Sequence, residues 1–112
     1  MVGQLDAALA AAHAADLTGP VIVAYEPQWA IGAAEPASIE HIEGVVGLLE
    51  KHVGRLTGHD GSRVIYGGSA KPGLLTSLGG SVRGLFLGRF AHDPAAVATI
   101  LDEAAELAAV AS

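Results

Sequence analysis

Residues 21–25 have the sequence Val-Ile-Val-Ala-Tyr, a short and continuously apolar run that is rich in β-branched residues. Such a run fits a parallel strand that is buried on both faces. Pro27 ends the run, because proline cannot donate a hydrogen bond to a neighbouring strand. The run therefore predicts an internal strand of a parallel sheet.

Helices are predicted on both sides of this strand. On the N-terminal side, residues 2–16 place apolar side chains on one helical face. On the C-terminal side, Ser38 is a predicted N-cap, and the helix that follows extends to Leu56. Its apolar residues recur at the spacing of an amphipathic helix; they are Ile42, Val45, Val46, Leu49, Val53 and Leu56.

Two further strand-and-helix pairs complete the chain. Residues 63–66 and 84–87 are predicted strands, and a short helix is predicted over residues 72–78. Asp93 and Pro94 are typical of a helix start. The last helix has a predicted apolar stripe of Val97, Ile100, Leu101, Ala104 and Ala108. Strands that alternate with helices indicate an α/β fold with a parallel sheet.

Length and composition restrict the classes of function. The 112 residues predict one domain, residues 1–112, and carry a net charge of −6 with no cysteine. Nucleic acid and anionic membranes are therefore poor partners, and disulfides and cysteine metal sites are excluded. We expect no metal site, no cofactor and no membrane span, and a cytoplasmic location.

The predicted carboxyl ends of the strands hold the residues best suited to chemistry. Glu26 follows the first strand, Gly67, Gly68 and Ser69 follow the second, and Gly88 follows the third. Ligands bind at this edge in parallel α/β folds, and glycine lets backbone N–H groups approach an anion. A carboxylate beside an anion site suggests proton transfer on a phosphorylated small molecule. The alternatives are that the glycines serve chain reversal alone and that Glu26 is a solvated loop residue.

Three motifs sharpen this interpretation. Residues 24–32 have the sequence Ala-Tyr-Glu-Pro-Gln-Trp-Ala-Ile-Gly, residues 65–69 have Ile-Tyr-Gly-Gly-Ser, and residues 84–88 have Gly-Leu-Phe-Leu-Gly. Their order and spacing resemble the sixth to eighth βα units of the triosephosphate isomerase family. The resemblance implies a partial TIM (β/α)8 barrel of about three parallel strands with flanking helices. A complete barrel has about 250 residues.

The resemblance also implies roles for individual residues. Glu26 matches the catalytic base, which moves a proton between the first two carbons of the substrate. Gly32 and Ser69 match residues that bind the substrate phosphate, and we expect Gly88 and Arg89 to contribute to the same site. No metal is implied.

Four more residues match the mobile lid of the family, the loop of residues 28–37, and its supports. Pro27 stiffens the hinge, Trp29 anchors it, and Ile31 would exclude water from the base. Tyr66 matches the tyrosine that holds the closed lid. The alternative for Trp29 is core packing, and for Tyr66 it is burial in a strand without a role in the lid.

The chain also departs from the family pattern. The lysine, asparagine and histidine that complete the family's site belong to the N-terminal half, and this chain has no asparagine. Four of its histidines, His13, His41, His52 and His59, are predicted to face solvent. His92 could cap a helix or face the site. We expect no appreciable isomerase activity from this chain alone.

The implied substrates are glyceraldehyde 3-phosphate and dihydroxyacetone phosphate. Arg89 and Phe90 look more like the branch that isomerises tetrulose phosphates such as erythrulose phosphate, unless Arg89 points to solvent and pairs with Asp93. Another alternative is a non-catalytic module that binds phosphate or assembles as a partial barrel. Open sheet edges favour association, so we expect a homo-oligomer or pairing with a missing N-terminal half. A truncated gene product, a fragment and a self-pairing half-barrel are all consistent with the sequence.

Overall fold

A computed structural model describes residues 2–27, 29 and 37–111. Helices and strands alternate along these residues, as the sequence predicted. The elements are α1 (Val2–Ala14), β1 (Ile22–Tyr25), α2 (Ile39–Gly54), β2 (Arg63–Gly67), α3 (Leu74–Leu78), β3 (Leu85–Phe86) and α4 (Pro94–Ala111), with a 3-10 helix (Arg89–His92) between β3 and α4.

The three strands form one parallel sheet in the order β1-β2-β3. Tyr66 of β2 lies opposite Tyr25 of β1 and Leu85 of β3. The carboxyl ends of all three strands therefore meet at one edge of the sheet. This arrangement confirms the predicted α/β fold and is that of a partial TIM barrel.

The core lies on one face of the sheet, between the strands and the helices that connect them. Val64 and Tyr66 of β2 are fully buried there. Burial of a large apolar side chain stabilises the fold by about 1.5–3 kcal/mol, so the apolar residues on this face stabilise the fold. The helical residues packed against it are Ile42, Val46, Leu49 and Val53 of α2 and Leu74 and Leu78 of α3.

The prediction that β1 is buried on both faces is wrong. Its side chains alternate between half-buried and exposed, and Ile22 is 72% exposed. Phe86 of β3 is exposed as well. The reason is that α2 and α3 pack against the face that carries Val64 and Tyr66, and they leave Ile22 and Phe86 uncovered.

The predicted stripe of α4 is displaced by one residue. Ala96, Ile100 and Glu103 are the buried residues of this helix, whereas Leu101 is exposed. The displacement follows from Glu103, a charged residue on the buried face. Its carboxylate accepts hydrogen bonds from the backbone of α3, which keeps that face of α4 against the core.

The predicted helix starts are confirmed. Ser38 Oγ accepts a hydrogen bond from the backbone N–H of His41, and Asp93 Oδ1 accepts from the N–H groups of Ala95 and Ala96. Strand β3 is shorter than predicted, and the 3-10 helix after it was not predicted. In the part of the chain that the structure covers, none of the helices combines the length and apolar character needed to cross a membrane.

Candidate active site

A pocket of about 160 Å³ opens at the carboxyl ends of the three strands. It is smaller than the ~300–1,000 Å³ typical of sites that enclose a whole small molecule. It therefore suits one end of a ligand. Its lining comes from the segment after each strand and comprises Glu26, Gly68, Ser69, Ala70, Phe86, Gly88, Arg89 and Phe90. Four residues predicted from sequence for this site are thus brought together: Glu26, Ser69, Gly88 and Arg89.

Glu26 comes directly after β1 and is exposed at the pocket wall. Gly67 lies beside it: a Cβ atom at Gly67 would lie 3.5 Å from Glu26 Cγ, which is an ordinary van der Waals contact, and 3.3 Å from Phe86 Cβ, which is tighter than most real contacts. The glycine therefore leaves room chiefly for the side chain of Phe86 at the pocket wall.

The loop after β2 has an unusual backbone. Gly68 has φ of 115° and Ser69 has φ of 53°, so two consecutive residues have positive φ angles. A non-glycine residue in the left-handed region costs about 1–3 kcal/mol and is found most often at functional sites. Here the turn brings the backbone of Gly68 and Ser69 to the pocket wall.

Arg89 brings positive charge to the pocket. It begins the 3-10 helix after Gly88, and its guanidinium carbon lies 5.2 Å from the ring centroid of Phe90. A cation over an aromatic ring is attracted by the ring's quadrupole, which holds the guanidinium near the pocket. In a chain with a net charge of −6, Arg89 is the one cationic residue among the described residues that line this pocket.

Tyr66 connects the loop after β2 to the start of α2. Its hydroxyl accepts a hydrogen bond from the backbone N–H of Ala37 at 3.1 Å and donates one to the carbonyl of Gly68 at 3.0 Å. The side chain is completely buried. Burial raises the pKa of the Tyr66 hydroxyl, and the hydrogen bond from Ala37 partly opposes that rise. The hydroxyl therefore stays protonated and keeps both bonds over the neutral pH range.

The predicted hinge residues have different environments. Pro27 is buried, and Trp29 is 64% exposed, so the alternative of core packing for Trp29 is wrong. The indole of Trp29 meets the ring of His41 edge-on, with 5.6 Å between centroids. Ile31 and Gly32 lie outside the described residues.

His41 is a residue of the site region that sequence reasoning missed. Its Nε2 atom lies 2.8 Å from the hydroxyl of Tyr25, the residue before Glu26. His41 was predicted to face solvent, and it is exposed, but it contacts both Tyr25 and Trp29. The signal that could have revealed it is its position: it lies in the first turn of α2, at the end of the loop that carries Trp29. His92 is exposed in the 3-10 helix.

Comparisons with a family model and with individual known proteins point to one family of isomerases. A family model described as triosephosphate isomerase matches residues 1–104. An L-erythrulose-1-phosphate isomerase of Pectobacterium atrosepticum is 56% identical over 90% of this chain and 39% of its own length. A triosephosphate isomerase of Synechococcus is 34% identical over 91% of this chain and 38% of its own length. A probable triosephosphate isomerase 2 of Listeria monocytogenes is 39% identical over 72% of this chain and 33% of its own length.

The chain thus spans less than two fifths of the length of each of these relatives. The matched region includes every residue that lines the pocket.

Proposed function

Because the chain belongs to the triosephosphate isomerase family, we propose that it supplies the sixth to eighth βα units of an aldose–ketose isomerase for small sugar phosphates. The observation that supports this most is the shared pocket of Glu26, Ser69, Gly88 and Arg89. A carboxylate, from Glu26, and a guanidinium, from Arg89, line the same pocket there. Residues 1–112 would form one structural unit of that enzyme.

Glu26 is the proposed base. Its carboxylate removes a proton from the carbon next to the carbonyl of the substrate, which leaves an enediolate, and returns the proton to the neighbouring carbon, while the hydroxyl proton moves between the two oxygens. Nothing is oxidised or reduced overall, so the reaction needs no redox cofactor. The side chain is suited to this role because Glu26 lines a pocket that is open to a small molecule.

The proposed anion site holds the phosphate of the substrate. The backbone of Gly68, Ser69 and Gly88 lines it, and Arg89 adds a full positive charge. A charge-assisted hydrogen bond from a guanidinium to a phosphate is roughly twice as strong as a neutral one. Gly32 is proposed to bind the phosphate as well. Pro27, Trp29 and Ile31 are proposed to form the hinge and tip of a lid. Tyr66 is proposed to hold this lid closed through its hydrogen bond with Ala37.

An electrophile is also required, because the enediolate oxygen carries negative charge. The family's lysine, asparagine and histidine do not match residues of this chain, which contains no asparagine. Loss of one donor to such an oxyanion typically costs about 10²–10³ in rate. We therefore propose that residues 1–112 alone have no appreciable activity, and that turnover requires a complementary N-terminal half.

The first candidate substrate pair is glyceraldehyde 3-phosphate and dihydroxyacetone phosphate. A second candidate, a tetrulose phosphate such as erythrulose phosphate, is favoured by the 56% identity to a protein named for that substrate. The Arg89–Phe90 pair at the pocket is the feature that would distinguish the two. A four-carbon substrate has one more carbon for the site to accommodate.

A non-catalytic role remains as a third candidate, in which the pocket binds phosphate without turnover. The open edges of β1 and β3 support a proposal of association, either with a second copy or with an N-terminal half. A cytoplasmic location stays a prediction from the sequence.

The experiment that tests the proposal is a complementation assay. The purified chain is assayed with glyceraldehyde 3-phosphate and with erythrulose phosphate, alone and mixed with the separately produced N-terminal half of a relative. We expect activity only in the mixture, and a loss of about 10²–10⁴-fold on Glu26→Gln, because that is the usual contribution of a general base.

The matched control is Glu43→Gln, which removes an exposed carboxylate on α2, and it should leave the rate unchanged. The substrate that the mixture converts faster would distinguish the triose phosphate proposal from the tetrulose phosphate proposal. A folded chain that binds inorganic phosphate but gives no turnover in any mixture would contradict the enzymatic proposal and favour the non-catalytic one.

A further inference from the structure

Two histidines from distant parts of the chain meet beside the N-terminal ends of the strands. His13 lies near the end of α1 and His59 lies in the loop between α2 and β2, and their Nε2 atoms are 3.0 Å apart. His59 is only 3% exposed, so the prediction that it faces solvent is wrong. Buried histidine needs partners for both ring nitrogens, and here each nitrogen has one.

The partners of His59 fix which nitrogen carries its proton. Its Nδ1 atom lies 2.8 Å from the carbonyl oxygen of Gly19, which can only accept a hydrogen bond. His59 Nδ1 therefore donates its proton to Gly19. In the neutral ring the lone pair then lies on Nε2, the atom that faces His13. In a metal-binding histidine, the ring nitrogen that does not bind the metal usually donates a hydrogen bond to a group such as a backbone carbonyl.

We propose that His13 and His59 form a two-histidine site for a divalent transition metal such as Zn²⁺. Zinc binds histidine nitrogen at about 2.0–2.1 Å, and two such ligands at a tetrahedral angle are about 3.3 Å apart. The observed separation is a few tenths of an ångström shorter. His13 is exposed and can move by that amount, whereas His59 is held in place by its burial and by Gly19.

The protons balance without any further reactant. In the neutral pair His13 donates its Nε2 proton to His59. When the metal takes the place of that proton, His13 adopts the other neutral tautomer, with its proton on Nδ1. The two Nε2 lone pairs then coordinate the ion, and no net charge is lost from the pair.

The chemistry of the ligands sets the class of metal. Imidazole suits zinc, copper and nickel, whereas magnesium and calcium prefer oxygen ligands. Among the residues that the structure covers, no group of three His, Asp or Glu side chains could hold a metal ion, so water would complete the coordination. The site would clamp the end of α1 to the segments that precede β1 and β2, at the opposite end of the sheet from the pocket.

The test is thermal unfolding of residues 1–112, freed of metal, at increasing concentrations of ZnCl₂ or MgCl₂. We expect the midpoint temperature to rise with zinc and not with magnesium, because a ligand that binds the folded state stabilises it. His13→Gln should raise the zinc concentration for half-maximal effect at least tenfold. The test uses His13 because substitution of His59 would also remove the bond to Gly19.

The matched control is His52→Gln. His52 of α2 contacts α1, the helix that carries His13, through a distance of 2.7 Å from its Nε2 atom to Asp6 Oδ1. The variant therefore removes a different histidine contact of α1 and leaves His13 and His59 unchanged. We expect it to retain the zinc effect. In the NMR spectrum, zinc should shift the ring resonances of His13 and His59 together.

Three results would overturn the proposal: no saturable zinc effect, an equal effect in His13→Gln, or an effect lost in His52→Gln instead. None of these depends on the isomerase proposal, because the pair lies outside the pocket and the readout is stability.

Discussion

Replacement of Glu103 is the sharpest test of how the structure supports its candidate site. This α4 residue is 8% exposed, and its carboxylate accepts hydrogen bonds from Gly73 N at 2.8 Å and Thr76 N at 3.0 Å. These N–H groups belong to the first turn of α3, whose own N-cap, Gly73, has no side chain to offer. Glu103 thus caps a helix from a different part of the chain.

The expected cost follows from these two bonds. A hydrogen bond to a charged group stabilises a protein by about 1.5–3 kcal/mol. In Glu103→Gln the amide oxygen can accept from one N–H, but the amide NH₂ group would face the other donor. We therefore expect Glu103→Gln to lower the free energy of unfolding by about 1.5–3 kcal/mol and Glu103→Ala by more, about 2–4 kcal/mol.

The assay is urea unfolding of the two variants and of a control, Glu106→Gln. Glu106 is an exposed residue one turn further along α4, and its replacement should change stability by no more than about 0.5 kcal/mol. If Glu103→Gln were as mild as Glu106→Gln, the capping argument would be refuted. Because α3 follows a few residues after the loop of Gly68 and Ser69, phosphate binding at the proposed site should also weaken in the Glu103 variants.

Further predictions follow from other contacts. Burial raises the pKa of the Tyr66 hydroxyl above its usual value of 10.0. The contribution of the protonated hydroxyl to the free energy of unfolding is therefore complete below pH 10 and is lost as pH rises through the raised pKa. Tyr66→Phe should lower the free energy of unfolding by about 1–3 kcal/mol at pH 8 and by less at pH 11, measured by urea unfolding. Gly67→Ala should crowd Phe86, whose Cβ would lie 3.3 Å from the new methyl group, and lower both stability and complemented activity. By contrast, Gly47→Ala in α2 meets nothing within 4 Å and should stabilise by about 0.5–1 kcal/mol. Ser38→Ala should cost about 1 kcal/mol through loss of the α2 cap; no change in the unfolding midpoint would contradict that role.

The sequence predicted the order of the elements well because the apolar runs are short and clearly bounded. Residues 21–25 and 63–66 are β-branched runs that end at proline or glycine, and the structure has strands at Ile22–Tyr25 and Arg63–Gly67. The convergence of Glu26 with Ser69 also follows, because carboxyl ends of neighbouring parallel strands share an edge. Chemistry at that edge stays a proposal.

The predictions that were wrong concern residues whose burial depends on contacts with distant parts of the chain. Sequence periodicity placed Leu101 on the buried face of α4, but the buried position belongs to Glu103 because it has backbone donors on α3. A pattern that counts only apolar residues cannot anticipate a buried carboxylate. His59 was missed for the same reason: the carbonyl of Gly19 and the ring of His13 satisfy it, and both lie more than 35 residues away in sequence.

The hydroxyl of Tyr66 has a consequence for how the two loops beside the pocket respond to each other. It accepts from Ala37 and donates to Gly68, and consecutive hydrogen bonds of this kind polarise and strengthen one another. The segment that enters α2 and the loop after β2 are therefore energetically coupled. Coupling of this kind is reciprocal, so an anion bound at the proposed site beside Gly68 should stabilise the position of Ala37, and fixing Ala37 should tighten binding at that proposed site by the same factor.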